Sequence, residues 1–148
     1  MLKGQLIQPE ILEVLGRAGH GSKVLIADGN YPCRTKLGPH ARLVSLNLSP
    51  GIVDCVQVLR ALAAAIPIES AAVMQYATSG PYALESEPEI WADFRDVLKT
   101  AGYTEPLHTI ERFAFYDEAA TPDVALTIAT GEQRIYANLL LTIGVVMP

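Results

Sequence analysis

The sequence predicts an α/β protein: a three-layer α/β/α domain whose central sheet is largely parallel, and mixed if the last two strands pair with each other. Three observations carry this. Apolar stretches of strand length alternate with amphipathic stretches of helical period along the chain. The first strand, Val24-Leu25-Ile26-Ala27, is apolar without a break, as a strand covered on both faces must be. Half of the 148 residues are hydrophobic, which supplies a substantial core for one domain spanning 1–148.

The elements follow in order. Pro9 fits the first turn of a helix, where a missing N–H costs little, and Ile11, Val14, Leu15 and Ala18 give it a buried face up to Gly19. The first strand then delivers Asp28 into a loop, and Pro32, Gly38 and Pro39 punctuate the segment from Tyr31 to Arg42. Leu43 to Leu48 alternates as a second strand. Ser49-Pro50 reads as a helix start, with Ile52, Val56, Leu59 and Ala63 facing one way and Pro67 beyond the end. Ala71 to Tyr76 is the third strand. After the Ser79-Gly80-Pro81 loop, Ser86 and Glu89 have capping-box spacing. Ile90, Phe94, Val97 and Leu98 form the stripe of the next helix, which Gly102 stops. Leu107 to Arg112 reads as a strand and Tyr116 to Ala120 as a helical turn. Val124 to Ala129 is a fifth strand, Thr130-Gly131-Glu132 a turn, and Leu139 to Ile143 the last strand.

Composition narrows the function classes. A net charge of −5 with no basic block argues against nucleic acid. The apolar runs are shorter than the roughly 20 residues a membrane span needs, and Met1 to Leu6 has no signal-peptide core. Cys33 and Cys55 have no CxxC spacing. A cytoplasmic protein with reduced thiols is expected.

Two residues stand at element ends, where chemistry is usually placed. His20 lies between Gly19 and Gly21 after the first helix, and Asp28 ends the first strand. An imidazole and a carboxylate meeting in a cleft would make a proton-transfer pair. The simpler roles are a helix-terminal charge for His20 and a turn cap for Asp28. Gly16, Gly19 and Gly21 follow a helix and precede a strand, the reverse of a dinucleotide loop. His40 and His108 could join His20 as metal ligands, but the spacings fit no zinc pattern. Arg112 offers five donors in a fixed fork for a polyhydroxylated ligand, beside Phe113, Phe115 and Tyr116. Tyr136 and Asn138 would share one face of an extended strand and bind hydroxyls from one side.

These residues collect into a resemblance. Gly19-His20-Gly21, Asp28 with Pro32, Gly38-Pro39, Arg112-Phe113-Ala114-Phe115-Tyr116, Thr130-Gly131-Glu132 and Tyr136-Ala137-Asn138 resemble, in order and end to end, the RbsD/FucU family of D-ribose pyranases and L-fucose mutarotases. The Arg-Phe-Ala-Phe-Tyr run and the Gly-Pro pair are similar to the fucose branch. Ser49-Pro50-Gly51-Ile52-Val53, ahead of Gln57-Val58-Leu59, is closer to the ribose branch. The resemblance implies a catalytic role for His20, and sugar contacts for Asp28, Arg112, Tyr136, the Ala137 backbone and Asn138. It also implies a homo-oligomer, often a decameric ring with sugar sites near subunit boundaries, and no cofactor. A mean hydropathy of +0.25 leaves apolar surface to bury between subunits. The expected activity is anomer interconversion of L-fucose or a related sugar. The alternatives are a D-ribose pyranase and a non-catalytic sugar-binding transport accessory. The proton-transfer partner of His20 is open between Glu132 and Tyr116.

Overall fold

The computed structural model describes all residues from Met1 to Pro148. The strands are β1 (Lys23–Ala27), β2 (Arg42–Ser45), β3 (Ile68–Met74), β4 (His108–Ile110), β5 (Val124–Ala129) and β6 (Leu139–Ile143). The helices are α1 (Pro9–Arg17), α2 (Cys55–Ala63), α3 (Ile90–Thr100) and α4 (Arg112–Glu118). No helix is long and apolar enough to cross a membrane.

One six-stranded sheet has the order β2-β5-β1-β6-β3-β4. Parallel pairing joins β1 to β5, β2 to β5 and β3 to β4, while β6 runs antiparallel to both β1 and β3. The sheet is therefore mixed, as the sequence allowed, but for a different reason. β5 and β6 form no hairpin: β1 lies between them and pairs with each. Burial explains the arrangement. Val24, Leu25, Ile26 and Ala27 have no exposed surface, so β1 belongs in the middle of the sheet.

Three layers result. On one face, Ile11 of α1, Val58, Leu59 and Leu62 of α2, and Phe94 and Leu98 of α3 pack on Val24, Ile26, Val73, Leu139 and Leu141. On the other, Phe115 of α4 and its C-cap Ala119 cover Leu25, Ala27, Met74 and Leu140. Truncating the fully buried Phe115 would cost about 3–5 kcal/mol, transfer and cavity terms together.

Local boundaries differ from the sequence reading where side chains and loops compete for backbone groups. α1 ends at Arg17, before Gly19, with Ala18 as its extended C-cap. β2 is four residues long, because Leu48 and Ser49 donate instead to the Ile52 carbonyl. That fold-back also removes Ser49 as a helix start. Gly51 has φ +80° and its N–H donates to Gly131 O, so α2 begins only at Cys55. Its cap is Asp54, in a reciprocal capping box with Gln57. Gly131 is required here: a Cβ would collide with the Ser49 and Ile52 carbonyls. The expected Ser86–Glu89 box is absent; α3 starts after Glu89 with no side-chain cap. Arg112 lies at the start of α4 rather than on a strand, because the Glu111 carboxylate accepts from the Phe113 and Ala114 N–H groups and caps the helix there.

Candidate active site

The C-terminal ends of β1 and β3, the start of α4 and the segment entering β6 converge on the α4 face of the sheet. They enclose a cavity of about 320 Å³, lined by Asp28, Asn30, Tyr31, Met74, Tyr82, Arg112, Tyr116, Ile135, Tyr136 and Asn138. Ligands of parallel α/β sheets usually sit at this end of the strands.

Asp28 is the anchor. The residue is 4% exposed. One carboxylate oxygen accepts from Asn30 N–H at 2.9 Å. The other accepts from Asn138 Nδ2 at 3.0 Å and Ala137 N–H at 3.3 Å. Asn138 Oδ1 in turn accepts from Asp28 N–H at 2.9 Å, so the two residues grip each other. Burial raises the Asp28 pKa above the usual carboxylate value, against the lowering by these donors.

Tyr136 differs from the sequence expectation. Its φ is +60°, so it is a left-handed loop residue and does not share an extended face with Asn138. Trp91 Nε1–H donates to its carbonyl at 3.0 Å, and its own hydroxyl donates to Tyr82 O at 2.9 Å.

Arg112 is exposed at the rim. Its guanidinium lies 5.9 Å from the Tyr116 ring and 6.0 Å from the Phe113 ring. The Tyr116 side chain raises its pKa, so the rim keeps its positive charge. Tyr31 is nearly buried, and its hydroxyl has no hydrogen-bond partner. The Cys33 thiol is pushed up to about 11, first by burial and then by Asp28, so it is no thiolate nucleophile at neutral pH.

Glu132 is not a cavity base. Its carboxylate accepts from Arg134 Nε at 3.0 Å and Nη2 at 2.8 Å, and from Cys55 N–H at 3.4 Å. It faces a second, polar cavity of about 410 Å³ with Asn47, Ser49 and Gln133. Burial pushes its pKa up, but Arg134 outweighs burial and holds it below the ordinary value.

His20 is not brought to Asp28 within the chain. It precedes β1 at the opposite end of the sheet, where Gly21 N–H donates to Ile143 O. The five residues of β1, at about 3.3 Å each, set the two ends roughly 17 Å apart. There His20 Nε2 meets Glu69 Oε2 at 2.5 Å, both side chains about half exposed. His40 is exposed and contacts Pro122 O, and His108 is exposed on the edge strand β4. No group of three His, Cys, Asp or Glu residues is placed to hold a metal ion.

Thus Asp28, Arg112, Tyr136 and Asn138 line one cavity, with the Ala137 N–H on Asp28, and His20 stands apart. Sequence reasoning missed Asn30, Tyr31, Met74, Tyr82 and Ile135 as lining residues. Asn30 and Tyr31 had one signal, their place in the loop after Asp28, and Tyr82 another, its place after Ser79-Gly80-Pro81; Met74 and Ile135 had none.

The RbsD / FucU transport protein family matches residues 1–146. The chain is 34% identical to the fucose mutarotase of Danio rerio, over 100% of this chain and 96% of that protein. It is 33% identical to the human fucose mutarotase, over 97% and 94%. A crystal structure of the Streptococcus pneumoniae fucose mutarotase in complex with L-fucose superposes with a TM-score of 0.80 at 26% identity, covering 95% of each chain. Bacillus subtilis RbsD complexed with D-ribose shares the fold, with a TM-score of 0.76 at 21% identity over 99% of this chain and all of that one. By sequence over its whole length and by fold, this chain belongs to the RbsD/FucU family.

Proposed function

We propose that the protein is a monosaccharide mutarotase, an isomerase that interconverts the anomers of L-fucose or a closely related sugar. The observation that carries this is the cavity itself. A buried carboxylate is fixed by Asn138 and Ala137, faces an arginine fork and is walled by tyrosines, in a chain one-third identical to fucose mutarotases over its full length. Aligned acceptors and donors between aromatic walls suit a neutral polyhydroxylated ring.

The chemistry needs no change at carbon–carbon or carbon–hydrogen bonds. A proton reaches the ring oxygen from the donor as the anomeric hydroxyl gives one up to water, and ring closure returns both. The C1–O5 bond breaks, C1=O forms, and the aldehyde turns over before the reverse steps close the ring. Asp28 holds a sugar hydroxyl, Arg112 and Asn138 take others, and Tyr136 packs on the ring. His20 is the proton donor. An imidazole exchanges protons readily near neutrality.

His20 acts from a neighbouring copy of the chain. Two observations support this. The cavity on its own chain contains no histidine, and His20 stands at the far end of β1. Large apolar groups are exposed around the mouth, with Phe113 at 69% and Tyr82 at 65%. Such surface favours burial against another subunit. The assembly is a closed ring, as in the family resemblance. The same reading puts the protein in the cytoplasm, in keeping with its two free cysteines.

A ribose pyranase is the second reading, favoured by the Ser49 to Val53 segment. Saturation-transfer NMR on L-fucose and D-ribose in parallel tests both. Fast exchange between fucose pyranose anomers is the expected result. Preferred pyranose–furanose exchange of ribose moves the protein to the other branch. Binding of either sugar without faster exchange refutes the enzyme in favour of an accessory sugar-binding protein.

A further inference from the structure

The one non-glycine residue with positive φ in this protein is Tyr136, at φ +60° on the cavity wall. A side chain in the left-handed region is disfavoured, and persists only where its surroundings over-determine it. Three contacts do so. The Tyr136 carbonyl accepts from Trp91 Nε1–H at 3.0 Å. Its hydroxyl donates to Tyr82 O. Tyr76 lies edge-on to both rings, 5.7 Å from Trp91 and 6.4 Å from Tyr136. Trp91 itself is 2% exposed, belongs to α3 on the opposite face of the sheet, and does not line the cavity.

What Tyr136 holds follows directly in the chain. The next N–H, of Ala137, and the next side chain, of Asn138, both donate to the same oxygen of Asp28. The turn at Tyr136 thus sets how the Asp28 carboxylate is aimed. α3 grips the segment a second time, through Asp93 Oδ2 and Arg134 Nη1 at 2.9 Å.

We infer that Trp91 is a positioning residue for the sugar site: its indole N–H holds Tyr136 in the left-handed turn that presents Ala137 and Asn138 to Asp28. This deepens the mutarotase reading and rests on it for the kinetic arm of the test alone. The indole acts through Tyr136 on groups that bind sugar hydroxyls in both ground and transition states. Its loss therefore raises KM more than it lowers kcat.

Trp91→Phe keeps an aromatic ring and removes the donor. Its KM for L-fucose rises about three- to tenfold, the range for one neutral hydrogen bond, with kcat nearly kept. In the sugar-free variant the Ala137 amide and Asn138 side-chain amide resonances shift. Phe94→Leu, a loss of packing on the same helix away from Tyr136, lowers Tm and leaves KM and both resonances in place. A folded Trp91→Phe with unchanged KM and unchanged resonances overturns the inference. Should that variant fail to fold, the wild type decides. Trp91 is its one tryptophan, and its emission changes saturably on titration with L-fucose, with half-effect near the KM. Flat emission during turnover defeats the proposal. If the wild type turns over neither sugar, the functional reading fails instead, and the amide resonances of the sugar-free variant still judge the role of Trp91.

Discussion

The two ends of β1 carry opposite kinds of site. At the end that leads into Asp28, the carboxylate is buried and held by three donors, and the segment around it is cross-braced to α2 and α3. At the end that follows His20, the imidazole and its Glu69 partner are about half exposed, and the nearby backbone is held by the end of β6 and by Asp123 O ahead of β5. One end opens on a braced cavity. The other is a presented group with no cavity of its own. A binding group must be rigid before the ligand arrives. A proton donor that enters from a neighbouring copy must instead project from the surface. On the proposed mechanism, that difference suits one end to binding and the other to proton transfer.

Substituting the presented histidine breaks this comparison most sharply. His20→Ala lowers kcat by about 100- to 10,000-fold, the usual range for a general acid or base. KM changes little, because the cavity of each chain is intact. Stability stays within about 0.5 kcal/mol, since the side chain is mostly exposed. Saturation-transfer NMR together with thermal unfolding reads both quantities. Retained exchange removes His20 from the mechanism.

The location of the missing partner is tested by complementation. Asp28→Asn removes the anchor and His20→Ala the donor, each from a separate chain. If sites are completed between copies, co-assembly of the two inactive chains leaves about a quarter of sites with both native residues. Activity then returns to about that fraction of wild type. If both residues served one chain's own site, no mixed assembly would contain an intact site, and activity would stay at the level of the single variants.

Much of this was legible in the sequence because it is periodic. The unbroken apolar run Val24 to Ala27 announced the central strand, and the stripes at Ile11 and Phe94 announced helices. Asp28 was legible because a strand end in such a sheet faces the ligand side. What failed depended on long-range competition for backbone groups. Ser49-Pro50 carries a helix-start signal, but Ile52 takes the Leu48 and Ser49 N–H groups and Gly131, 80 residues beyond Gly51, takes that of Gly51. Glu111 took the helix start that the sequence had placed at Tyr116. The left-handed turn at Tyr136 has no glycine or asparagine to announce it. Its carbonyl is held by an indole 45 residues upstream. His20 and Asp28 do not meet within one chain, because spacing along a chain does not say which end of a strand a residue occupies relative to a cavity.

A buried carboxylate supplies the next contrast. Glu132 has its pKa held below normal by Arg134 despite burial, so it stabilises the fold above the unfolded carboxylate value of about 4.3. That contribution is lost as pH falls through the folded value. Asp28 has the opposite sign. Its raised pKa makes the ionised form a cost that appears as pH rises above the unfolded value and is lifted on acidification. Glu132→Gln lowers stability at pH 7 by about 1–3 kcal/mol, through the buried acceptor lost to Arg134 and Cys55 N–H. Denaturant melts from pH 3 to pH 7 will show a flatter acid limb for this variant than for wild type. An unchanged limb would mean that Glu132 is not what binds the loop to α2.

The smallest effect is expected at the other carboxylate. Glu69 pairs with His20 as closely as Glu132 pairs with Arg134, yet solvent screens both partners and the side chains give up rotamer freedom to meet. Exposed pairs of this kind are worth about 0–1 kcal/mol. Glu69→Gln should therefore leave Tm close to wild type, and the residual difference should shrink further in high salt. Its value lies in kinetics. If Glu69 merely parks His20 when no neighbour is docked, then removing it frees the imidazole and leaves kcat within about twofold in the assembled protein. A loss approaching that of His20→Ala would instead make Glu69 the group that orients the donor during turnover. The presented end would then be a preorganised pair, and its contrast with the braced end would be one of burial alone.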